Sequence, residues 1–352
     1  MHIKSLYLKN FRNYDEVHFE FGPRLNIVSG PNARGKTTVL EAIYLLMTGR
    51  SFRSSRLREL IKHEKSEFFI ELTFFKFDVE QTLRFAYNGS QRKVFHNHTS
   101  ISSTTSLIGL IPGTLMIPDD VSMIKGQPRL RRRYLDIQLA QGDPLYVHHL
   151  ARYQKAMINR NFLLKSKVTK SIDVWEQEMA RGAGYIAAGR HLALESLQRH
   201  CGILLSKISA NKEEIKLEYK SQCSNQESDT FKFYSDMYKK MRSREVAFGS
   251  SLIGPHKDDL LIFINEKDAR YFSSEGQAKS CVAAMRFAEW EYLRDQTNEI
   301  PLMLIDDLGV SLDFARRFQL LDHLNSLGQV FVTTTESVDH FVNENCRRIN
   351  LT

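Results

Sequence analysis

The sequence has few cysteines, few tryptophans and no long uninterrupted apolar run. Its four cysteines, Cys201, Cys223, Cys281 and Cys346, lie too far apart for any pair to have metal-ligand spacing. We interpret them as structural thiols, and such low cysteine usage is typical of a reducing compartment. No window approaches the roughly 18 apolar residues of a membrane span. The N-terminal stretch "MHIKSLYLKNF" also lacks the apolar core of a signal peptide. The composition therefore predicts a cytoplasmic protein without a membrane partner.

Basic residues outnumber acidic ones, which bears on the kind of partner. Lysine and arginine together number 49 and aspartate and glutamate 41, so the formal net charge is +8. This balance favours a polyanionic partner, either nucleic acid or acidic lipid. The 352 residues are 42% hydrophobic, which is enough to bury a core in one large domain or two ordinary ones.

Periodicity changes twice along the chain. The first part has strand patterns, at 2–8, 17–21, 68–76 and 80–87. Helical spacing begins at Pro128 and restarts at Asp143-Pro144. A further long helical stretch runs from about Ile172 to Ile208. Because only the short polar segment "KSKVTK" joins the last two stretches, they are predicted to form an antiparallel helical hairpin. We therefore expect an α/β head made of residues 1–120 and 251–352, with a helical arm or lid inserted at 121–250.

The C-terminal part has alternating strand and helix signals. "LLIFI" follows Asp259, a helix begins near Gln277, "IPLMLIDD" reads as a buried strand, a helix runs through Leu327, and "QVFVTTT" is another strand. A βαβαβ order of this kind predicts a parallel sheet.

A phosphate-binding loop is the strongest single motif. Residues 30–37 satisfy G-x-x-x-x-G-K-[ST], and they follow a predicted strand and precede a predicted helix. Lys36 is expected to reach the β and γ phosphates of a nucleotide and to act in catalysis, while the Thr37 hydroxyl is expected to coordinate Mg²⁺. The predicted cofactors are ATP and Mg²⁺, and the predicted nucleotide-binding residues here are Gly30, Pro31, Asn32, Ala33, Arg34, Gly35, Lys36, Thr37 and Thr38.

Two adjacent carboxylates end the strand "PLMLIDD". At the carboxyl edge of a parallel strand, Asp306 is predicted to hold Mg²⁺ indirectly and Asp307 to orient or deprotonate the attacking water. The alternative is that the second aspartate merely caps a helix, which accounts for only one of the two acids.

A second helix start carries Ser274, Gly276 and Gln277 in "YFSSEGQ". Taken alone it is a good helix cap. Together with the glycine loop and the "LIDDLGVSLD" segment it resembles the signature motif of the ABC-type ATPase superfamily. That resemblance implies that the signature of one protomer closes over the γ-phosphate held by another, so that catalysis requires a dimer.

Further segments are similar to the RecF family, which is related to the SMC and Rad50 ATPase heads. They are "TGRSFRSSRLRELIKH", "MIPDDVSMIKGQPRLRRRYLDIQLAQ", "ARYQKAMINRNFLLK", "GPHKDDLLIFI" and "SSEGQAKS". The resemblance implies an ABC-type P-loop ATPase head, with a mixed sheet and flanking helices, that carries the inserted arm. It also implies a weak, DNA-stimulated ATPase that forms an ATP-dependent homodimer on single-stranded and duplex DNA at gaps. Help in loading RecA, together with RecO and RecR, is implied as well.

The chain departs from the family pattern at several positions. Ala33 stands where a third glycine is common, and Glu275 and Lys279 replace the usual glutamine and arginine. After the acidic pair only Leu312 and Asp313 match the family. Two other functional classes stay open: an ATP-gated DNA clamp or scaffold with incidental hydrolysis, and a transport motor, for which the sequence offers no membrane partner.

Two arginine clusters are candidates for contacting DNA phosphates. One follows the first predicted helix and the other opens the arm; the candidate residues are Arg50, Arg53, Arg56, Arg129, Arg131 and Arg132. The alternative is a solvated basic face, with Arg132 or Arg133 paired to Asp136 along the helix. No recognition-helix or zinc-finger signature accompanies the clusters, which favours contacts to the DNA backbone over base reading.

Overall fold

A computed structural model describes residues 1–223, 229–307, 316, 319–320, 323–324, 326–335 and 346–351. The strands are β1 (His2–Phe11), β2 (Tyr14–Glu20), β3 (Leu25–Ser29), β4 (Phe68–Lys76), β5 (Val79–Tyr87), β6 (Arg92–His96), β7 (Thr99–Ser100), β8 (Gly113–Met116), β9 (Ile215–Lys220), β10 (Asp259–Ile264), β11 (Lys267–Asp268), β12 (Leu302–Ile305), β13 (Val330–Thr334) and β14 (Cys346–Asn350). The helices are α1 (Lys36–Thr48), α2 (Val121–Lys125), α3 (Pro128–Gly142), α4 (Pro144–Lys165), α5 (Ile172–Ile208), α6 (Thr230–Phe248), α7 (Ala269–Phe272) and α8 (Glu275–Thr297).

The chain forms two compact units. The first consists of Met1–Val121, Ile203–Glu213 and Ser274–Thr352, and the second of Ser122–Gly202 and Glu214–Ser273. The sequence-based bounds assigned everything after 250 to the head. In the structure, residues 251–273 lie in the second unit because β10 pairs with β9.

Parallel and antiparallel strands occupy separate sheets of the first unit. Described strands form a six-stranded antiparallel sheet in the order β2-β1-β4-β5-β6-β7 and a five-stranded parallel sheet in the order β14-β3-β13-β12-β8. The predicted α/β class is confirmed, and β14 is a parallel strand that the sequence interpretation did not include. Because β13 lies between β3 and β12, the strand before the phosphate loop and the strand before the acidic pair are one strand apart.

The core of the first unit surrounds α1. Apolar residues of α1, from Val39 to Met47, cluster with Leu6, Leu8 and Ile70 of the antiparallel sheet and with residues of the parallel sheet such as Leu304. A helix that is buried on nearly every side must be apolar around most of its circumference, as "VLEAIYLLM" is. The helix that follows the phosphate loop is therefore held rigidly in place.

The second unit contains the predicted helical hairpin. Tyr146 packs against Gly189, Tyr153 packs against Gly182, and Arg160 pairs with Glu176. Positions that rise along α4 meet positions that fall along α5, so the predicted antiparallel arrangement is confirmed. No helix among the described residues combines the length and apolarity needed to cross a bilayer.

The arm contains strands that the sequence interpretation assigned elsewhere or missed. β10, the "LLIFI" segment, pairs antiparallel with β9 and β11 in a three-stranded sheet instead of entering the parallel sheet. Its hydrophobic pattern predicts a strand but does not specify a partner. β9, within 121–250, is a strand of the arm that the sequence interpretation did not include.

His256 is a buried titratable group of the second unit. Its Nε2 lies 3.1 Å from the Ser251 carbonyl oxygen, to which it donates, so Nδ1 accepts from the Tyr153 hydroxyl at 2.6 Å. Burial, together with the nearby cations Lys257, Arg132 and Arg160, lowers the pKa of His256 to about 4, although the hydrogen bond to the Ser251 carbonyl acts in the opposite direction. The neutral imidazole is therefore the form that the fold accommodates.

We expect this histidine to make the second unit less stable in acid. Between pH 6.5 and 4 the unfolded chain binds a proton at His256 and the folded chain does not, so the free energy of unfolding falls as pH is lowered. With a folded-state pKa of about 4, the free energy of unfolding should fall by roughly 2 to 3 kcal/mol over that window. Urea unfolding of wild type and His256→Asn at pH 7.5, 6, 5 and 4 measures this loss. Equal pH dependence in the two proteins would contradict the assignment.

Candidate functional site: a phosphate loop beside an acidic strand end

The phosphate loop joins β3 to α1 in the conformation that its glycines allow. Gly35 has φ +100°, and a side chain there would collide with the Tyr14 hydroxyl and the Asn13 amide, each 2.7 Å from the added carbon. Ala33 occupies the left-handed region at φ +65°, which costs an alanine about 1 kcal/mol. The alanine that stands where a third glycine is common is therefore strained.

The Lys36 ammonium group lies over the loop. Its Nζ donates to the carbonyl oxygens of Gly30 at 2.7 Å and Pro31 at 2.9 Å, and the residue is only 9% exposed. A lysine held this way keeps its charge directed into the loop, beside the N-terminus of α1, where anions are stabilised.

The acidic pair lies next to the loop threonine. Thr37 Oγ1 lies 2.9 and 3.1 Å from the two carboxylate oxygens of Asp306. Thr333, on β13, donates its hydroxyl to Asp306 Oδ1 at 2.7 Å and accepts from the Asp307 amide at 2.8 Å. One side chain from the intervening strand thereby fixes both aspartates. Asp307 has φ +53°, so the chain turns sharply there.

Two arginines of this site share one buried carboxylate. Glu41, on the buried side of α1, accepts from Arg12 at 2.6 and 2.9 Å, from Ser51 at 2.5 Å and from Arg53 at 3.4 Å. Arg12 also donates to the Glu59 carbonyl at 2.9 Å. Arg12 is therefore fixed by bidentate pairing, whereas Arg53 makes one long bond and is 46% exposed.

These groups surround one cavity of about 580 Å³. The residues that line it are Arg12, Asn13, Asn32, Ala33, Gly35, Lys36, Thr37, Thr38, Arg53, Glu59, Ile61, Pro118, Asp306, Asp307, Thr333 and Thr335. Of the predicted loop residues, Gly30 and Pro31 contribute through their bonds to Lys36. Arg34 is exposed, and its carbonyl accepts from Tyr14, whose pKa burial raises to about 12.

The predicted signature residues lie at the start of α8. Ser274 Oγ accepts from the Gln277 amide at 3.2 Å while the Gln277 side chain accepts from the Ser274 amide at 3.0 Å, which forms a capping box. A methyl group added at Gly276 would meet no atom within 4 Å. Glu275 pairs with Lys279 at 2.8 Å. None of these residues is among the described residues that line the cavity.

The oxygen set at Thr37 and Asp306 suits a magnesium ion. Mg²⁺ prefers oxygen ligands and is usually held by one or two protein groups together with phosphates and waters. A hydroxyl and a carboxylate about 3 Å apart, beside a phosphate loop, match that requirement. Among the described residues, no group of three or more His, Cys, Asp or Glu side chains is arranged as a metal site. The histidine and aspartates of "GPHKDD" therefore form no such group.

Comparison with known proteins identifies the family. The family model described as "RecF/RecN/SMC N terminal domain" matches residues 2–350. The chain is 47% identical over 345 residues to the "DNA replication and repair protein RecF" of Protochlamydia amoebophila (strain UWE25), covering 97% of this chain and 96% of that one. The chain belongs to the RecF family. RecF of Chlamydia trachomatis serovar L2 is 37% identical over 350 residues, with 98% and 95% covered.

Solved structures agree with this RecF-family assignment. The "recombination mediator protein RecF-ATPrS in RecFOR pathway" matches with a TM-score of 0.88 at 29% identity, over 99% of this chain and 96% of that one. An SMC head, "SmcHead bound to the C-winged helix domain of ScpA", matches with a TM-score of 0.57 at 16% identity, over 96% and 91%. The second likeness concerns the fold alone. The protein is thus a member of a family of DNA replication and repair proteins with an ATPase-head fold.

The DNA candidates differ in how accessible their side chains are. Arg50, Arg56 and Arg129 are exposed, and Arg132 is half-buried and donates to the Asp258 carbonyl at 2.7 Å. Arg53 is 46% exposed and lines the cavity. Arg131 is 3% exposed and pairs with both oxygens of Asp259 at 2.8 Å. A buried, fully bonded guanidinium is unavailable to DNA, so Arg131 is withdrawn as a candidate.

Some residues of the site were not anticipated in the RecF-family motifs. Thr333, Thr335 and Glu41 belong to this group, and Arg53 was predicted only as a DNA contact and not as a residue of this cavity. The threonines of "VFVTTT" follow a predicted parallel strand, and the carboxyl end of such a strand is where ligands bind, so their position was a usable signal. Leu312 and Asp313 lie outside the described residues.

Proposed function

We propose that this protein is an ATPase that dimerises on DNA when it binds ATP and acts in recombinational repair. ATP and Mg²⁺ are the proposed cofactors. By analogy with the solved RecF in its RecFOR pathway, RecO and RecR are the proposed partners, and help in loading RecA at gaps is the proposed outcome.

One observation carries the nucleotide part of the proposal. Lys36 Nζ, the Thr37 hydroxyl and the Asp306 carboxylate converge on one cavity, at the N-terminus of a helix and the end of a parallel strand. Backbone amides, a lysine and the positive end of a helix together suit a polyphosphate. The solved relative described as "RecF-ATP in RecFOR pathway", at a TM-score of 0.87, supports ATP as the nucleotide.

The side chains have distinct roles in this proposal. Lys36 exchanges its bonds to the Gly30 and Pro31 carbonyls for phosphate oxygens and neutralises their charge. Thr37 and Asp306 would hold Mg²⁺, which when bound supplies further neutralisation of the phosphate charge. Asp307 accepts a proton from the attacking water, and Arg12 stays fixed against Glu41 as a constant positive charge on the cavity wall.

A dimer supplies the remaining part of the proposed site. Ser274, Gly276 and Gln277 are absent from the cavity lining of their own chain, and the space around Gly276 is open. The N-terminus of a helix suits an incoming phosphate. The ion pair of Glu275 with Lys279 reduces the repulsion that Glu275 would otherwise exert on the γ-phosphate of a partner.

Turnover of ATP with and without DNA tests the proposal. We expect slow hydrolysis by the protein alone and faster hydrolysis with duplex or gapped DNA, together with DNA affinity that falls steeply with salt because counterions are released. Phosphate release measures the rate of hydrolysis, and fluorescence anisotropy measures DNA affinity. Absence of hydrolysis under every DNA condition, in a protein with a cooperative unfolding transition, would refute the ATPase assignment.

Asp307→Asn separates catalysis from a clamp or scaffold in which hydrolysis is incidental. Asparagine tolerates the left-handed backbone at this position, so the change removes charge with little strain. We expect hydrolysis to fall by about 100-fold or more while ATP affinity and ATP-dependent dimerisation persist. Full repair of damaged DNA by this variant in a complementation assay would favour the scaffold.

A further inference from the structure

The second unit exposes a group of apolar side chains where α4 and α6 end. Phe162 is 70% exposed, Phe248 is 65% exposed and Ile158 is 66% exposed. We call these three residues together with Lys165 the helix-end patch. A buried phenylalanine stabilises the fold and an exposed one does not. Two exposed rings close together therefore indicate a binding surface.

The members of the helix-end patch are neighbours in space. Ile158, Phe162 and Lys165 are spaced four and three residues apart, so they share one face of α4. Gly249 lies against Lys165, with the position of an added carbon 3.7 Å from the Lys165 Cα. Phe248 directly precedes this glycine in the chain. The C-terminal end of α6, which carries Phe248, therefore meets the end of α4 that carries Phe162 and Lys165.

The surroundings of the helix-end patch are predominantly positive. Residues 155–172 contain no aspartate or glutamate. The exposed cations on the adjoining segments are Lys155, Lys165, Lys167, Lys170, Lys239, Lys240 and Arg244.

The acidic residues nearby are mostly engaged. Glu245 is buried against Arg160, and Asp173 pairs with Arg242. Asp236, on α6, is the other exposed carboxylate of these segments. The net charge presented here therefore attracts a polyanion.

We infer that the helix-end patch binds single-stranded nucleic acid. Unpaired bases stack on exposed aromatic rings while lysines and arginines follow the backbone, and the patch offers both. In a duplex the bases are already stacked, so the rings would gain nothing from it. The Arg244 guanidinium lies 5.8 Å from the centre of the Phe248 ring, which keeps a positive charge beside the stacking surface.

A double variant tests this assignment, which rests on the proposed function only in taking DNA as the polyanion. Phe162→Ala/Phe248→Ala removes both rings from exposed positions, so we expect it to fold normally. Its affinity for a fluorescent oligo-dT should fall by roughly tenfold or more, since each stacked base contributes substantially. Affinity for a duplex of equal length and the rate of ATP hydrolysis should not change.

Phe77→Ala is the matched control. Phe77 lies in the turn between β4 and β5, is 72% exposed and has the Lys76 ammonium 5.8 Å from its ring, but it lies in the first unit. We expect oligo-dT affinity like that of wild type. A further variant, Lys165→Gln/Lys167→Gln, should lose about one to two phosphate contacts. The slope of log oligo-dT affinity against log salt concentration should become shallower by the corresponding amount.

The outcomes separate this inference from the proposed function. Unchanged oligo-dT affinity in the double phenylalanine variant would overturn the inference, as would wild-type protein that binds duplex but not oligo-dT. Both of those results leave the ATPase proposal intact. Protein that binds neither form of DNA at low salt would refute the DNA part of both. Loss of binding to poly-glutamate, but not to oligo-dT, in the double variant would instead identify a docking surface for an acidic protein.

Discussion

The Lys36→Ala variant is expected to lose at least about 100-fold in the rate of ATP hydrolysis, the scale found when one preorganised charge or donor is removed from a catalytic site. The physical reason is that Lys36 is the cation held at the loop, by carbonyl oxygens 2.7 and 2.9 Å away. Nucleotide affinity should fall as well. Isothermal titration with a slowly hydrolysed ATP analogue and phosphate release measure the two effects separately.

Ser274→Asp is the second variant, to be compared and later mixed with Lys36→Ala. Aspartate retains the N-cap bond to the Gln277 amide, so α8 should keep its stability, but it places a carboxylate where a partner's γ-phosphate would arrive. We expect a comparable loss of hydrolysis with nucleotide affinity nearly unchanged. Affinity that falls as far as in Lys36→Ala would contradict a role in trans.

Mixing the two inactive variants distinguishes a composite site from a site within one chain. In a mixed dimer one cavity combines the intact Lys36 of one protomer with the intact Ser274 of the other. Random assortment of equal amounts then restores about a quarter of wild-type activity, because half of the dimers are mixed and each has one complete site. No recovery, despite mixed dimers proven by cross-linking, would refute the arrangement.

Arg160→Met is expected to destabilise the second unit by about 3 to 5 kcal/mol, since it leaves the buried Glu245 carboxylate without its counter-charge, while Glu176 keeps its ion pair with Arg242. Arg160 is fully buried and donates to Glu245 at 2.6 Å, to Glu176 at 2.9 Å and to Ser251 at 2.8 Å. Trp175 lies in this unit and Trp290 in the other. Urea unfolding followed by tryptophan fluorescence in a Trp290→Phe background therefore reports on the affected unit.

Two further variants show whether the charge or the packing is responsible. Arg152→Ala removes an exposed ion pair with Glu178 and should cost less than about 1 kcal/mol. Arg160→Met/Glu245→Met removes the orphaned Glu245 carboxylate together with the arginine, so it should be more stable than Arg160→Met alone. A double variant less stable than the single one would mean that lost packing dominates.

Local sequence predicts the strand, glycine loop and helix of the candidate phosphate site well because these three features are local. The apolar strand, the glycine loop and the helix start are contiguous, and the structure brings Lys36 and Thr37 together with Asp306 at one cavity as the motifs imply. The capping box of Ser274 with Gln277 likewise depends on four consecutive residues. Backbone geometry at such positions is determined within a few residues of the motif.

Longer-range features could not be predicted in the same way. The pattern of "LLIFI" is that of a buried strand in any sheet, so it does not reveal pairing with β9 in the second unit. A run of arginines specifies charge but not burial: Arg131 is buried in an ion pair with Asp259, a residue 128 positions away, while Arg129 is exposed. Thr333 contacts both aspartates only because β13 separates β12 from β3.

The position of the α8 start outside the cavity lining bears on how the protein would be regulated. When each site is completed by a second copy, the rate of turnover per molecule depends on how often two copies meet. A DNA strand that holds two copies raises their effective concentration without altering a single bond in either cavity. DNA stimulation would then depend on fragment length, and would vanish with fragments too short to carry two proteins.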